Sequence, residues 1–196
     1  MRNYTADDIA AMFKQYEQHV QYVIVAHTHH RPYTVCRNEG GLKSVNADRW
    51  LAHKLEQTSK DTRYALNCMN SLLYPNAINK VKRKPFQFRP LTFVTIEGAK
   101  QTLDRQQTIH VNIALGNLPT VLDRQDIETL FRHAWHDKAK QSDDIEVIDY
   151  YQAKQGKGWL GYSLKEAEHQ PSRVWNENSI WDVENCWIPH NAINVD

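Results

Sequence analysis

The sequence predicts an α+β fold in which an antiparallel sheet carries helices on one face. Two neighbouring stretches alternate apolar and polar residues with the period of two that is typical of a strand, and two longer stretches have apolar residues at helical spacing. The predicted elements follow one another as strand, helix, strand, strand, helix, strand, helix. A helix on either side of a central hairpin gives an antiparallel sheet of ferredoxin-like strand order.

The first half of the chain supplies a strand between two helices. Thr5 to Gln18 is predicted to be helical, with Asp7 and Asp8 in its first turn. Val20 to Ala26 is rich in β-branched residues and predicts a strand. Asn46 to Leu73 has apolar residues at helical spacing over its whole length, and Pro75 should end this helix because proline lacks an N–H group.

Two strands in the middle of the chain are predicted to pair as an antiparallel hairpin. Leu91 to Glu97 and Thr108 to Leu115 both alternate, and the polar segment between them can return the chain. In the second strand every other residue, beginning with Ile109 and ending with Leu115, is aliphatic. We therefore expect a half-buried strand with one apolar face.

The second half of the chain supplies the last three predicted elements, a helix, a strand and a helix. Leu122 to Lys138 is predicted to be a helix capped near Asp123, Asp144 to Tyr151 a strand, and Trp159 to Glu166 a last helix. We expect one domain over 1–169, with its core at about 18–169, and a tryptophan-rich tail over 170–196 that packs on it.

Composition limits the class of protein only loosely. The chain has 196 residues, of which 41% are hydrophobic, enough for one good core. A formal net charge of +1 does not indicate a nucleic-acid binder by itself. Cys36, Cys68 and Cys186 show no metal-binding spacing and suit a reducing compartment. Since no signal peptide or apolar transmembrane run is present, we expect a cytoplasmic protein that does not bind a membrane.

Basic residues cluster just before the first strand of the hairpin. Aromatic residues interleave with them, which leaves two interpretations open: a solvated connection, or a patch that follows the phosphates of a nucleic acid. The cluster consists of Lys80, Lys82, Arg83, Lys84 and Arg89, with Phe86 and Phe88 among them.

The polar face of the hairpin carries candidate metal ligands. His110 and Asn112 lie two residues apart and therefore project to the same side of their strand. Glu97 ends the preceding strand, so the three side chains can meet around one divalent ion. Simpler interpretations stay open, since His110 can be structural, Asn112 can bond a loop or an edge strand, and Glu97 can begin an exposed turn.

A candidate nucleophile follows downstream. Tyr162 and Lys165 are three residues apart, so they share one face of the last predicted helix. A phenol and an amine beside a metal ion are the groups that phosphodiester transfer through a covalent tyrosine intermediate requires. Tyr162 can also be an ordinary helix aromatic, and Tyr150 or Tyr151 can compete as nucleophile. We prefer Tyr162 because the other two have no lysine one turn away.

Three histidines follow the first strand closely. His27, His29 and His30 form the most histidine-dense segment of the chain. They can contact DNA at the end of that strand, but surface histidines without a role are the interpretation that we favour.

These motifs resemble those of the HUH endonucleases, and specifically the single-tyrosine replication initiator (Rep) proteins of rolling-circle plasmids, phages and small single-stranded DNA viruses. The family's second motif, a strand with His, a bulky apolar residue and then His or a polar substitute, is similar to His110-Val111-Asn112, with asparagine at the second ligand position. The third motif, Tyr-x-x-Lys, is similar to Tyr162-Ser163-Leu164-Lys165. An acidic residue on the preceding strand commonly completes the metal site, as Glu97 would.

The resemblance implies an HUH-type strand order, with the metal site and the tyrosine helix on the face of the sheet opposite the other helices. It implies a sequence-specific endonuclease that nicks and rejoins single-stranded or hairpin DNA with Mg²⁺ or Mn²⁺. Tyr162 would form a 5′-phosphotyrosine and leave a free 3′-hydroxyl, while Lys165 would lower the pKa of the phenol or hold a phosphate oxygen. Such a protein would initiate replication of a plasmid, phage or other mobile element and would depend on a host helicase for unwinding.

Other functions fit parts of the same pattern. A transposase or relaxase of the same superfamily would use the same chemistry. A non-catalytic module of ferredoxin-like strand order, such as an RNA-recognition domain, would carry stacking aromatics on its central strands, where Phe93 is the obvious candidate. A metal-independent structural protein is a further alternative, and a metal titration would distinguish it.

Overall fold

The computed structural model describes residues 11–32, 36–38, 41–43, 47–75, 77–98, 108–150, 158–159, 163 and 181–187. The strands are β1 (Val20–His27), β2 (Cys36–Asn38), β3 (Gly41–Lys43), β4 (Leu91–Glu97), β5 (His110–Gly116) and β6 (Ile145–Asp149), and the α-helices are α1 (Ala47–Leu73), α2 (Ile78–Arg83), α3 (Pro85–Phe88) and α4 (Arg124–Arg132).

The main sheet has four strands in the order β4-β5-β1-β6, and each neighbouring pair is antiparallel. The short strands β2 and β3 form a separate two-stranded sheet. The prediction of an α+β fold with an antiparallel sheet is therefore confirmed. The predicted hairpin is also present, because Glu97 pairs with His110 and Leu91 with Gly116.

Helices α1 and α4 pack against one face of the sheet and form the larger hydrophobic core. The long first helix begins at Ala47 and ends at Leu73, within one residue of the prediction. The predicted cap at Asp123 is confirmed, because its side chain accepts the amide of Asp126 while the Asp126 side chain accepts the amide of Asp123. The sheet contributes Ile24, Ala26, Val94, Ile96, Val111, Ile113, Leu115 and Val147 to this core, and the helices contribute Leu51, Leu55, Ala65, Met69, Ile127 and Phe131.

Helix α4 continues into a π-helical segment, His133–Lys138. Trp135 in this segment is fully buried and stacks on Phe131 at 5.8 Å between ring centroids. Its indole N–H donates to the carbonyl of His27 at 3.0 Å. The hydrogen bond from Trp135 in the π-helical segment therefore joins the helix layer to the last residue of β1.

The second face of the sheet is also covered, so the expectation of half-buried strands is wrong. Every residue of β4 is buried, and in β5 only His110 is partly exposed. The covering side chains come from distant parts of the chain: the ring of Phe13 lies 5.0 Å from Phe93 and 5.5 Å from Trp159, and Trp181 stacks on Phe93. Alternation in the sequence showed which residues share a face but not what lies on it.

Residues 181–187, which we call the edge segment, extend the sheet along the outer edge of β4. Thr92 and Trp187 exchange both backbone hydrogen bonds, at 3.0 and 2.8 Å, and the amide of Asp182 donates to Val94. The Asp182 side chain is buried and accepts the hydroxyl of Ser59 on α1. The edge segment therefore satisfies backbone groups that β4 would otherwise present at the edge of the sheet. The domain boundaries at 169 and 170 stay predictions.

Two predicted elements differ from the structure at their ends. The strand predicted over Asp144 to Tyr151 ends at Asp149, and Tyr150 has helical backbone. Of the predicted N-terminal helix, residues 11–14 are helical and Glu17–His19 form a 3₁₀ turn, while 1–10 lie outside the described residues. Both differences lie at element termini, where local pattern is least informative.

We predict that Trp135→Phe lowers the free energy of unfolding by about 1 to 3 kcal/mol, because it removes the donor to the His27 carbonyl and leaves a small void in the core. Urea denaturation followed by circular dichroism measures the change. Trp50→Phe is the control, since the Trp50 indole bonds the carbonyl of Arg31 at an exposed site. An equal loss in both variants would contradict a special role for the Trp135 contact.

Candidate functional site

Polar side chains form a row across one end of the sheet, on the face opposite helices α1 and α4. Strands β1 and β4 end there, whereas β5 and β6 begin there. The strand register places Glu97, His110 and His27 next to one another, on three adjacent strands. Asp144 precedes β6 and continues the row, because its carbonyl accepts the amide of His27.

Glu97 and His110 are in direct contact. His110 Nε2 lies 3.2 Å from Glu97 Oε2. The Glu97 side chain is fully buried, while that of His110 is 19% exposed. The interpretation of Glu97 as part of an exposed turn is therefore wrong. Burying a carboxyl group is costly unless it is paired, and the contact with His110 offsets part of that cost.

Asn112 and Thr95 form the next cross-strand pair on the same face. Both residues are buried, at 1% and 0% exposure. Among the residues that the structure describes, neither the two amide atoms of Asn112 nor the hydroxyl of Thr95 has a hydrogen-bond partner, and the same holds for His110 Nδ1. A buried polar group without a partner costs about 1 to 3 kcal/mol, so several together require an explanation such as a bound ion or ligand.

The donor set fits a divalent cation. One carboxylate, one imidazole and one amide oxygen are ligands that Mg²⁺ and Mn²⁺ accept. Two ligands in adjacent octahedral positions, each about 2.1 Å from an ion, lie about 3 Å apart. The separation of 3.2 Å between Glu97 Oε2 and His110 Nε2 is close to that value. In the described part of the chain no three His, Cys, Asp or Glu side chains form a group that could hold a metal ion, so the proposed centre depends on the Asn112 amide as its third ligand.

His27 belongs to this site, although the sequence did not show it. Its ring stacks on that of His110, with centroids 4.9 Å apart and planes 26° apart, and its Nδ1 lies 3.0 Å from the hydroxyl of Thr108. Burial and the neighbouring His110 lower the pKa of His27, against an opposing effect of Asp144. His27 is thus only partly exposed and packs against His110; only the register between β1 and β5 reveals this contact.

The other two histidines of this segment lie away from the row. His30 Nε2 lies 2.9 Å from Asp61 Oδ2 on α1, and Gln141 donates to the same carboxylate oxygen. The backbone amide of His29 donates to the Gln141 side chain, while the residue itself is exposed. His30 therefore has a structural partner that ties the end of β1 to the helix layer.

The predicted nucleophile and its lysine, Tyr162 and Lys165, lie outside the described residues, as does Tyr151. Ser163, next to Tyr162 in the sequence, is described and fully buried. Tyr150 is poorly placed to act as the nucleophile: it is only 5% exposed, its hydroxyl donates to Glu17 Oε1 at 2.6 Å, and burial, together with that carboxylate, raises the pKa of the phenol. A tyrosine must lose its proton to attack phosphorus, and both effects oppose this.

The basic cluster lies at the other end of the sheet. Lys80, Lys82 and Arg83 lie on α2, Lys84 lies between α2 and α3, and Arg89 follows α3, two residues before β4. The seven residues of β4 separate this cluster from Glu97 by about 20 Å. Arg83 and Lys84 are exposed, whereas the Arg89 guanidinium lies over the Trp187 ring and burial lowers its pKa. The Lys80 amine, also exposed, lies 5.7 Å from the centroid of Phe88. The side chain of Lys82 is outside the described part of the structure.

Comparison of the chain with protein-family models, with curated proteins and with solved structures finds no match. The resemblance to HUH endonucleases therefore rests on the motifs themselves. None of the described helices has both the length and the apolar character needed to cross a membrane.

We predict that His110→Ala weakens Mn²⁺ binding at least about 10-fold, because it removes the imidazole from the proposed centre. Asn112→His should preserve or strengthen binding, since imidazole is the stronger ligand for Mn²⁺. Isothermal titration calorimetry on the full chain measures both. His53→Ala, which removes an exposed imidazole from α1, is the control. Equal Mn²⁺ affinity in the wild-type protein and His110→Ala would place the metal elsewhere.

Proposed function

We propose that this protein is a metal-dependent endonuclease that nicks and rejoins single-stranded DNA through a covalent tyrosine intermediate. The observation that carries the proposal is the buried group formed by Glu97, His110 and Asn112, in which a paired carboxyl and imidazole lie beside an amide without a partner among the described residues. A purely structural pair would not account for the Asn112 side chain, because an aliphatic residue would fill the same place without the cost of burying two unbonded polar atoms.

The observed strand order supports the proposal without testing it. Along the chain the larger elements are β1, α1, β4, β5, α4 and β6, and the sheet order is β4-β5-β1-β6. Both orders agree with the ferredoxin-like arrangement that the resemblance to HUH endonucleases implies. The polar row lies on the face opposite the two large helices, as the resemblance to that family implies for the metal site.

In the proposed reaction Tyr162 Oη attacks phosphorus as its proton is lost, and the bond to the 3′ oxygen breaks. The 3′ oxygen takes up a proton and leaves as a hydroxyl, while the 5′ phosphate stays on the tyrosine. Lys165 would stabilise the phenolate or contact a phosphate oxygen. Because the phosphotyrosine keeps the energy of the phosphodiester, the free 3′-hydroxyl can attack it and rejoin the strand.

The residues of the centre have separate tasks. Glu97 and His110, with Asn112, would hold Mg²⁺ or Mn²⁺, which when bound neutralises phosphate charge and polarises phosphorus. Since these side chains are buried or nearly so, the phosphate must come to the end of the sheet, where His110 is partly exposed. We propose a single strand or an extruded hairpin as the substrate, because the attacked phosphate must sit against the sheet.

The rival function of a non-catalytic nucleic-acid-binding module is less well supported. Its marker would be an aromatic ring on the central strands that is open to stacking on a base. Phe93 is only 2% exposed, and its ring makes an edge contact with Phe13 and stacks on Trp181. Its ring serves the second hydrophobic core and is not available to a nucleotide.

The biological role that we propose is initiation of replication on a plasmid, phage or other mobile element, with a host helicase unwinding the DNA. Relaxase and transposase activities use the same chemistry, and the element that carries the gene decides between them. A cytoplasmic location belongs to the same proposal. It is supported by Cys68 and Cys186, which are free thiols within the described residues.

We predict that Tyr162→Phe abolishes the covalent DNA adduct while DNA binding is retained, because only one hydroxyl is removed. The assay is incubation of the full chain with a pool of single-stranded oligonucleotides and Mn²⁺, followed by denaturing gel electrophoresis. Tyr150→Phe is the matched control and should form the adduct, since its phenol is bonded to Glu17. An adduct that persists in Tyr162→Phe would refute the assignment, and loss in Tyr151→Phe alone would transfer the role to that residue.

We predict that replacing Lys82, Arg83 and Lys84 together by glutamine weakens binding to every single-stranded oligonucleotide alike. The salt dependence of log affinity should flatten by about 0.7 for each phosphate that the protein no longer neutralises. Sequence preference and cleavage at saturating DNA should survive, because phosphate contacts position the strand and these residues lie far from Glu97. Fluorescence anisotropy over a range of salt concentrations measures the effect.

The control for this experiment removes lysines from the helix layer. Lys54 and Lys60 lie on α1, and their replacement by glutamine should leave the salt dependence unchanged. An unchanged slope in the triple variant would assign the basic cluster to a solvated connection, and a cleavage defect at saturation would extend the active site to it.

A further inference from the structure

The proposed centre leaves one contact of its imidazole ligand unexplained. His27 and His110 face each other across β1 and β5, and their rings stack at a centroid distance of 4.9 Å. The His27 side chain is 36% exposed and that of His110 19%. Stacking therefore covers one face of the His110 ring with the more exposed ring of His27.

The His27 ring is itself held in place. Its Nδ1 is 3.0 Å from the hydroxyl of Thr108, the residue two positions before His110 on the same strand face. Its backbone carbonyl accepts the indole of Trp135, and its amide donates to the carbonyl of Asp144. Both ring and backbone are thus fixed by groups that take no part in the proposed chemistry.

The orientation of His110 needs such a support. Rotation of an imidazole about its second side-chain torsion is broad, so the strand backbone alone does not set the plane of the ring. The contact between Nε2 and Glu97 is a single polar interaction, and Nδ1 has no hydrogen-bond partner among the described residues. A flat ring stacked on one side restricts the remaining rotation.

We propose that His27 is a positioning residue, whose ring holds the imidazole of His110 with Nε2 directed at Glu97 and the metal position beside it. This inference rests on the proposed function of the centre. It assigns to His27 neither a bond to the metal nor a part in proton transfer. The property that matters is the flat face of the ring, since stacking needs no particular nitrogen.

The test compares Mn²⁺ affinity in full-length variants by isothermal titration calorimetry. His27→Ala should weaken binding about 10-fold, the lower end of the effect of losing a residue that orients a metal ligand. His27→Phe keeps a flat ring without nitrogen atoms and should bind Mn²⁺ nearly as the wild type does. His29→Ala is the matched control, because it removes an exposed imidazole two residues away and should change nothing.

A second variant acts on the ring indirectly. Thr108→Val removes the hydroxyl near His27 Nδ1 while keeping the shape of the side chain, and it should weaken Mn²⁺ binding less than His27→Ala does. Thermal melting checks that the variants are folded. Oligonucleotide cleavage by His27→Ala should recover when Mn²⁺ is raised to saturation, because a misplaced ligand lowers affinity but still binds.

The outcomes separate this inference from the proposed function. Wild-type Mn²⁺ affinity in His27→Ala would overturn the positioning role, and equal weakening in His27→Ala and His27→Phe would overturn it in favour of a role for a ring nitrogen. Either result leaves the centre itself standing provided that His110→Ala weakens Mn²⁺ binding. If His110→Ala also binds Mn²⁺ as the wild type does, the proposed metal centre itself is refuted, and with it the positioning role of His27.

Discussion

The register between β5 and its two neighbours is the constraint on which the rest of the structure depends. Glu97, His110 and His27 stand side by side only because residue pairs on β4, β5 and β1 are fixed as they are. A slip of one residue would turn every side chain of a strand to the opposite face and bring Val111 into the row in place of His110. Thr28 prevents such a slip, because both its amide and its hydroxyl donate to the carbonyl of Ile109 at the start of β5.

Packing on both faces of the sheet shields much of the polar row from water. Helices α1 and α4 fill one face, and aromatic side chains from distant parts of the chain fill the other, so most of the sheet is dry on both sides. The polar residues occupy one end of this second face, where Thr95, Glu97 and Asn112 are buried and His110 is the partly exposed member of β5. A carboxyl and an imidazole in such a place interact more strongly than they would in water.

Much of this architecture was predictable because alternation and helical spacing are local properties. The four strands of the main sheet, the long helix to Leu73, the cap at Asp123 and the pairing of Glu97 with His110 all follow from residues close together in the sequence, whereas β2 and β3 were not predicted. The cover over Phe93 and the stacking of His27 depend on segments separated by tens of residues, and no local pattern encodes those contacts. Metal ligation and the tyrosine motif were inferred from residue spacing and from the resemblance to HUH endonucleases, and they stay predictions.

The edge segment affects folding during synthesis as well as the stability of the folded chain. It pairs with β4 from a position about 90 residues further along the sequence, so the outer edge of β4 must wait until residues 181–187 have been synthesised. At cellular rates of translation that interval is roughly 5 to 20 seconds. During this time the nascent chain exposes an unpaired strand rich in apolar residues, which is the kind of surface that chaperones protect and that associates wrongly with other chains.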